Sequence, residues 1–355
     1  MRDLADLTYV LPLKASGPAD LELSQYVAWL GSLMDVVVVD GSPLPAFAAN
    51  ATRWRDPVRH LPVHSRSLNG KVAGVCDGVG AARTPWIVVA DDDVRYDEAA
   101  LRAIADLLAR HDVVVPQNYF APARWHTHWD TGRTLINRAL RSDYAGTIAL
   151  RREAFVSTRG YCGAVLFENL ELIRTLLAHG FEVHHARDLF VARRPPSARH
   201  FAGQRIRQAY DSLAQPRRLA AELSVLPVVT LAVARRLFWP LGLAAVAVAA
   251  VAEAGRRRHD GRAVFPWYLP LLAPAWLAER SVCSWLALGC RLRGGVRYSG
   301  QRLIRAATPP AVLRHRALRR PAIRPVIGHA PPGRRTISST EASPGMRSVA
   351  ERLDG

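Results

Sequence analysis

The stretch WIVVADDDVRYD, residues 86–97, ends an apolar run with three consecutive carboxylates, Asp91, Asp92 and Asp93. Adjacent carboxylates repel one another and raise one another's pKa unless a cation offsets their charge. An Asp-x-Asp pair after a buried strand suits a divalent ion held by one or two carboxylates, with substrate phosphates and water completing the shell. The alternative is a turn that caps the following helix, for which one aspartate would be enough.

Two further residues are candidates for the same site. Lys71 is one of only two lysines and opens the small-residue stretch NGKVAGVCDGVGAA. A lysine at a helix start is well placed for a nucleotide phosphate, and the alternative is a solvated side chain. Asp40 closes VVVVDGS, where its carboxylate can accept the N–H of a nucleobase or simply form an Asp-Gly turn.

The elements that would position these residues alternate between strands and helices. Short apolar runs bounded by turn residues predict strands at 8–13, 36–40, 58–63, 86–90 and 113–116, and helical spacing predicts helices at 21–33, 71–82 and 98–110. This alternation predicts an α/β fold with a doubly wound sheet, in which ligands bind at the carboxyl ends of the strands. Asp40 and the aspartate triplet both follow such ends.

These motifs, in this order, resemble the family-two GT-A glycosyltransferases, which are inverting enzymes that use nucleotide sugars. VVVVDGS resembles the base-binding turn of that family, and NGKVAGVCDGVGAARTPWIVVADDDV resembles its Gly-Lys helix and Asp-x-Asp strand. The block from DYAGTIALRREAF to ENLELIRTLLAHGFEV resembles the acceptor side. QRIRQ, at 204–208, resembles the Gln-x-x-Arg-Trp element of membrane-associated members, and RLRGGVRYSGQRL resembles the ending of ceramide-type glucosyltransferases.

The resemblance implies a UDP- or GDP-sugar donor and a Mg²⁺ or Mn²⁺ cofactor held by Asp93 and Asp91. It also implies a set of nucleotide-sugar-binding residues: Asp40, Lys71, Asp91, Asp92, Gln204 and Arg207.

The chain departs from the family pattern at two positions. The family's Glu-Asp pair is Glu168-Asn169 here, and the Trp of the Gln-x-x-Arg-Trp element is Gln208. The aspartate of that pair is usually the catalytic base, and an asparagine cannot take a proton. The base role therefore passes to Glu168, with Glu171 as a weaker candidate. The other interpretation of Glu168 is a first-turn acid favoured by the helix dipole.

From about residue 222 the chain becomes nearly uncharged over three runs that arginines interrupt. Each run is shorter than the roughly 20 apolar residues that a straight membrane span needs, so spans with embedded arginines and interfacial or re-entrant helices are both open. Aromatic residues cluster there: Trp239, Trp267, Tyr268, Trp276 and Trp285. This clustering is typical of membrane interfaces. We therefore expect a lipid or lipid-linked acceptor and a location at the inner (plasma) membrane, with a cytosolic catalytic domain.

The predicted organisation is a GT-A domain at 1–215, a membrane-associated helical segment at 216–300 and a basic, largely disordered tail at 301–355. The formal net charge is +18, and the last 65 residues contribute 14 arginines against three acids. Such a tail suits anionic lipid headgroups. A nucleic-acid partner is disfavoured because no helix interleaves aromatic residues with arginines on one face.

Two other functions compete with glycosyl transfer. A nucleotidyltransferase also places carboxylates at strand ends, but LPLKASGPAD is a poor phosphate loop. A catalytically silent membrane scaffold with a nucleotide-sugar-binding fold would explain Asn169. The histidines at 126, 128, 184 and 185 have aromatic or basic neighbours, which favours surface or cleft positions over metal ligation.

Overall fold

The structure is a computed structural model that describes residues 4–141, 143–298 and 300–319. Its strands are β1 Leu7–Leu13, β2 Asp35–Asp40, β3 Val58–Pro62, β4 Trp86–Ala90, β5 Val94–Arg95, β6 Val113–Phe120, β7 Thr147–Arg151, β8 Val183–Arg193, β9 Val296–Tyr298 and β10 Gln301–Leu303. Its helices are α1 Leu21–Gly31, α2 Leu44–Arg53, α3 Gly70–Ala81, α4 Glu98–Leu108, α5 Trp125–Leu140, α6 Arg152–Ser157, α7 Glu168–Ala178, α8 Ala198–Tyr210, α9 Pro216–Ala234, α10 Phe238–Arg257, α11 Gly261–Val264, α12 Ala273–Leu292 and α13 Pro310–Arg319. The predicted strands and helices of the first 116 residues are all present.

One eight-stranded sheet, in the order β3-β2-β1-β4-β7-β6-β8-β5, organises the α/β part. Strands β3, β2, β1 and β4 are parallel. Strand β7 is antiparallel to both of its neighbours, β4 and β6, and β5 is antiparallel to β8. The predicted α/β class is confirmed, but the sheet is mixed rather than doubly wound throughout. Strand direction depends on how α5 returns the chain to the sheet, and local apolar patterning does not encode that path.

Alternation along the strands builds the core on both faces of this sheet. In β1, Leu11 packs in a cluster with residues of α1 and α4, whereas its neighbour Val10 packs with Val75 and Val79 of α3. Successive side chains of a strand point to opposite faces. Residues 36–39 of β2 are all fully buried, as expected for a strand covered on both sides.

Glycines allow α3 to lie close against the sheet. A Cβ at Gly78 would lie 2.3 Å from Cγ1 of Val10, and one at Gly74 would lie 3.0 Å from Cβ of Pro12. The helix begins after Asn69, whose side chain accepts a hydrogen bond from the backbone N–H of Lys71. The close packing and this cap together direct Lys71 toward the carboxyl end of β4.

The C-terminal helices extend from the same body. Helix α12 packs against α5, α8 and α9, and α10 packs along α5. In the part of the chain that the structure describes, α10 alone is long and apolar enough to cross a membrane, and only 11% of its most apolar window is buried. The start of the predicted tail is ordered as β10 and α13, and α13 packs on α7. The rest of that tail, 320–355, lies outside the described residues.

Candidate functional site

A cleft of about 920 Å³ lies at the carboxyl end of β4, between the sheet and the helices α7, α8 and α13. It brings together seven of the eight residues predicted for the site: Lys71, Asp91, Asp92, Asp93, Glu168, Gln204 and Arg207. The sheet order contributes to this convergence. Strand β4 lies between β1 and β7, and residues of α7 and α8 lie beside its carboxyl end.

The aspartate triplet forms the turn between β4 and β5. The pairing of β5 with β8 brings Arg193 to this turn. Its Nη2 donates to Oδ2 of Asp93 at 2.6 Å and its Nε donates to Oδ1 at 3.1 Å, while Nη2 lies 3.8 Å from Oδ2 of Asp91. One cationic nitrogen therefore stands between the two carboxylates that were predicted to hold a metal ion.

Lys71 forms the opposite side of the same cluster. Its ammonium is ion-paired with Asp91 and with Glu168, whose Oε1 lies at 2.6 Å. Burial would lower the pKa of Lys71, but the carboxylates of Asp91 and Glu168 raise it above its ordinary value. The lysine is therefore a fixed cation between the aspartate turn and α7, not a solvated side chain.

Asp92 has a different environment from its two neighbours. It is the exposed member of the triplet, and its side chain makes no ion pair with any of the described residues. Its pKa is raised by partial desolvation and by the carboxylates of Asp93 and Asp91. Its predicted role in binding a nucleotide sugar stays a prediction.

Glu168 and Asn169 open α7 and face the cleft. Glu168 lies on the first turn, where the helix N-terminus favours a carboxylate. Asn169 donates through Nδ2 to the backbone oxygen of Ala145 at 2.9 Å, and its Oδ1 lies 3.4 Å from Nζ of Lys71. Glu171 is fully buried, and its Oε2 accepts from the backbone N–H of Thr308 at 2.6 Å. Of the two base candidates, the geometry favours Glu168.

Helix α8 carries Gln204 and Arg207, which both line the cleft and lie one turn apart on the same face. The guanidinium of Arg207 lies 5.2 Å from the centre of the Tyr298 ring. Arg205 points the other way and bonds to Asp130 and Glu279, each at 2.7 Å. These ion pairs hold α8 between α5 and α12, so the cleft face of α8 has a fixed orientation.

Asp40 is the predicted site residue that the structure does not place in the cleft. Its buried carboxylate accepts hydrogen bonds from the Ser42 backbone and from Asn50, each at 2.8 Å, and contacts Nε2 of His60 at 3.0 Å. Burial would raise its pKa, but the hydrogen bonds from His60, Asn50 and Ser42 lower it to about 2. Its predicted contact with a nucleobase remains untested.

Two of the cleft residues that were missed from the sequence lie close to predicted site residues. Arg193 is 100 positions from its partner Asp93, and no local pattern links the two. Tyr298 lines the same cleft as Glu168, and burial and the Glu168 carboxylate raise its pKa. The sequence signal that points to Tyr298 is its place in RLRGGVRYSGQRL.

The aspartate turn suits a divalent cation whose coordination shell is completed by oxygen atoms of a bound substrate. Asp91 and Asp93 already share a single guanidinium nitrogen. Among the described residues, no group of three or more His, Cys, Asp or Glu side chains has the geometry of a metal site. One or two carboxylates plus substrate phosphates are a common arrangement for Mg²⁺, so the residues present fit a metal–diphosphate complex.

Part of the chain matches the sequence model of a known protein family. Residues 25–167 match the model of the family described as Glycosyl transferase family 2. The match contains Asp40, Lys71 and the aspartate triplet and ends one residue before Glu168. This match supports a family-two domain within residues 25–167, and no comparison bears on the ceramide type. No curated protein sequence matches the chain.

Solved structures of glycosyltransferases are similar at a distance. The mannosyltransferase PcManGT from Pyrobaculum calidifontis, in complex with GDP-Man and Mn²⁺, is 15% identical over 79% of this chain and 87% of its own, with a TM-score of 0.47. Glucosyl-3-phosphoglycerate synthase from Mycobacterium tuberculosis, with Mn²⁺, UDP-glucose and phosphoglyceric acid, is 16% identical over 55% and 74%, with a TM-score of 0.39. Mannosyl-3-phosphoglycerate synthase from Rubrobacter xylanophilus is 14% identical over 55% and 69%, with a TM-score of 0.37.

Proposed function

We propose that this protein is an inverting, metal-assisted glycosyltransferase. It would move a sugar from a UDP- or GDP-sugar to a hydroxyl of a lipid or lipid-linked acceptor at the cytosolic face of the inner membrane. The observation that carries the proposal is the bridge from the aspartate turn through Lys71 to Glu168, within one cleft. This bridge joins the expected donor side to the expected base.

On the donor side, the cleft has cationic side chains that can bind a diphosphate leaving group. In an inverting transfer the sugar ring gains positive charge while the departing phosphates gain negative charge. Lys71 and Arg207 provide cationic donors for those phosphates, and the planar guanidinium suits a bidentate contact. Asp91 and Asp93 would hold Mg²⁺ or Mn²⁺, which when bound supplies Lewis-acid stabilisation of the leaving group.

On the acceptor side, Glu168 is the base. Its side chain is only 14% exposed and is held by the ammonium of Lys71. As the acceptor hydroxyl attacks the anomeric carbon, its proton passes to the Glu168 carboxylate, and the bond to the diphosphate breaks on the opposite face of the sugar. This direction of attack inverts the anomeric centre. Asn169 takes no proton and instead helps to position α7 through Ala145.

Membrane attachment rests on the surface of α9 and α10. Within the described residues, the single buried side chain of the 19-residue helix α9 is that of Glu222. Large apolar side chains are exposed along both helices, among them Leu231, Phe238 and Trp239. Burial of such a surface in lipid would be strongly favourable, and it would keep the apolar part of an acceptor beside the cleft.

A second function is favoured by one observation. The residue that is usually the base in the family is Asn169 here, and its side chain is committed to Ala145 and Lys71. A protein that binds nucleotide sugars at the membrane without transferring them would need no base at this position. The two functions differ in turnover, not in donor binding.

The deciding experiment measures donor binding, donor hydrolysis and transfer to membrane lipid extract by the detergent-purified protein. UDP- and GDP-sugars are compared with Mn²⁺, Mg²⁺ or EDTA. Metal-dependent turnover that is lost in Asp93→Ala and kept in Asp106→Ala, an exposed aspartate on α4, would support the transferase. Metal-dependent binding without turnover would support the silent alternative. No binding of any nucleotide sugar would reject both.

A further inference from the structure

Three arginines of the cleft lack the carboxylate partners that several other cleft arginines have. Arg133, Arg193, Arg218 and Arg280 are each ion-paired with aspartate or glutamate. Arg141, Arg174 and Arg314 also line the cleft, but among the described residues no acid lies within ion-pair distance of any of them. The part of the cleft that Arg141, Arg174 and Arg314 line, called the outer cleft below, therefore carries arginines that have no direct carboxylate partner in the described part of the chain.

Arg174 shows how this charge is held. Its guanidinium donates to the backbone oxygens of Thr308 at 3.2 Å and Ala214 at 3.0 Å. A guanidinium has five N–H donors, so two carbonyl acceptors leave several of them available for another acceptor. Burial lowers the pKa of Arg174, and the carboxylates of Asp211 and Glu171, which form no ion pair with it, offset only part of this effect. An anion at this position would supply the missing compensation.

The arginines border an apolar stripe on α7. Leu170, Ile173, Leu177 and Ala178 line the cleft, and their spacing places them on one face of the helix with Arg174. The opposite face of α7 packs into the core through Leu172 and Leu176. An outward face that is apolar, opens on a large cleft and ends at cationic side chains suits an amphiphile better than a small polar substrate.

Distance along α7 separates this region from the reaction centre. Arg174 lies six residues after Glu168, which is about 9 Å along a helix axis. The guanidinium of Arg174 is also held at the Thr308 and Ala214 carbonyls, so a phosphate bound there and the hydroxyl that Glu168 deprotonates are expected to be separate groups of the acceptor. A phosphate and a hydroxyl of the same acceptor, separated by roughly one sugar ring, would fit both positions.

We propose that the outer cleft is a phosphate-binding acceptor subsite. Arg141, Arg174 and Arg314 bind the phosphate of an anionic lipid whose headgroup also carries the attacking hydroxyl, and the α7 stripe contacts the lipid's apolar chain. The proposal rests on the glycosyltransferase function for its hydroxyl, whereas the subsite itself can be tested without turnover. It specifies an anionic lipid among the lipid or lipid-linked acceptors that the sequence leads us to expect.

The test is equilibrium binding to the full chain in neutral maltoside micelles. The probes are farnesyl phosphate, which has a phosphate and a chain, farnesol, which has the chain alone, and glycerol 3-phosphate, which has the phosphate alone. The variant is Arg141→Gln/Arg314→Gln, because both side chains are exposed and Arg174 also joins α7 to neighbouring backbone. The matched control is Arg316→Gln, on the solvent side of α13.

We expect farnesyl phosphate to bind most tightly and the double variant to lose about tenfold or more of that affinity, with no change in Arg316→Gln. Equal binding of farnesol and farnesyl phosphate, or wild-type affinity in the double variant, would overturn the anionic subsite. Equal binding of glycerol 3-phosphate and farnesyl phosphate would overturn the proposal that the subsite binds the apolar chain of an amphiphile. Binding of UDP and GDP with Mn²⁺ is measured on the same variants. If neither nucleotide binds, the transferase function is rejected. The binding of farnesyl phosphate to the wild type and the double variant then still decides whether the subsite exists.

Discussion

Glu168 and Asn169 are adjacent in the sequence and face the same cleft, yet their side chains have different tasks. The carboxylate of Glu168 is paired with Lys71 at the reaction centre. The amide of Asn169 is bonded to the backbone of Ala145. An aspartate at position 169 would place a carboxylate oxygen against that carbonyl oxygen, so under the proposed function the base is Glu168 and not residue 169.

Glu168→Gln keeps the shape of the side chain and removes its ability to accept a proton. We expect transfer to fall by about 10²–10⁴-fold, the usual contribution of a positioned base, while nucleotide-sugar binding stays near the wild-type level. Initial rates and donor binding by titration calorimetry measure the two effects. Glu153→Gln on α6, outside the cleft, serves as the control. Retention of the full rate in Glu168→Gln would assign the base to another residue.

Asp40 makes the stability of the protein depend on pH. Its pKa of about 2 lies below the value of about 3.9 for an unfolded chain, so its ionisation stabilises the fold above about pH 4 and this stabilisation is lost as the pH falls toward 2. Asp40→Asn should lower the free energy of unfolding by about 2 kcal/mol at pH 7, and the difference from wild type should shrink toward zero near pH 2.

Denaturant unfolding of wild type and Asp40→Asn at several pH values between 2 and 7 tests this expectation. Asp106→Asn is the comparison, since its side chain is exposed on α4. A stability difference that is the same at pH 7 and pH 2 would show that the effect of Asp40→Asn comes from shape rather than charge.

At the scale of elements, α10 is attached to the α/β part by backbone contact and by one buried arginine. Arg138 of α5 is fully buried and donates to the carbonyl oxygens of Gly255, Arg258 and His259, at the C-terminal end of α10. A cation at that end also interacts favourably with the helix dipole. These contacts fix where the apolar helix leaves the body of the protein.

Gly255→Ala tests this attachment. A Cβ at Gly255 would lie 1.9 Å from the backbone oxygen of Leu135 and 2.9 Å from the Ala139 nitrogen, so α10 would have to move away from α5. We expect a loss of about 1–3 kcal/mol in stability, measured by thermal unfolding, together with faster proteolysis near α11.

Gly242→Ala in the same helix is the matched control. A Cβ there meets nothing within 4 Å, and alanine favours helix formation by up to about 1 kcal/mol over glycine. Equal stability losses in the two variants would mean that the effect of Gly255→Ala does not arise from its contact with α5.

At the scale of the whole molecule, exposed apolar surface is concentrated on the C-terminal helices. Phe238, Trp239 and Leu243, near the start of α10, are 62%, 80% and 58% exposed. The α/β part exposes large apolar residues mainly as single positions, such as Leu21 and Leu44. Single exposed residues are ordinary, whereas a continuous patch indicates a binding surface.

The triple substitution Phe238→Ser/Trp239→Ser/Leu243→Ser should weaken binding to lipid vesicles by about a hundredfold or more, since each of these side chains contributes about 1.5–3 kcal/mol when buried. Vesicle flotation with phosphatidylglycerol-containing membranes measures it. Leu21→Ser/Leu44→Ser provides a control with similarly exposed residues. Flotation that is unaffected by the triple substitution would show that this part of α10 does not bind the membrane.

Much of the α/β part and most of the candidate site were predictable from the sequence. The strands β1, β2 and β4 are short apolar runs that end at polar turns, and such runs have few alternatives to a buried strand. Lys71 and the aspartate triplet lie within 23 residues of each other, in a strand–helix–strand unit whose geometry is local. The sequence by itself therefore determined that a lysine and a carboxylate cluster would meet at one edge of a sheet.

Only the tertiary structure decided which partners those residues have. The pairing of Arg193 with Asp93, across 100 positions, exists because β5 lies beside β8. The position of Arg174 beside the cleft depends on α13 packing against α7. The reversed direction of β7 is likewise a result of long-range packing. Contacts of this kind depend on strand order and helix docking, which arise from the sum of many weak interactions along the chain and leave no pattern in any short stretch of it.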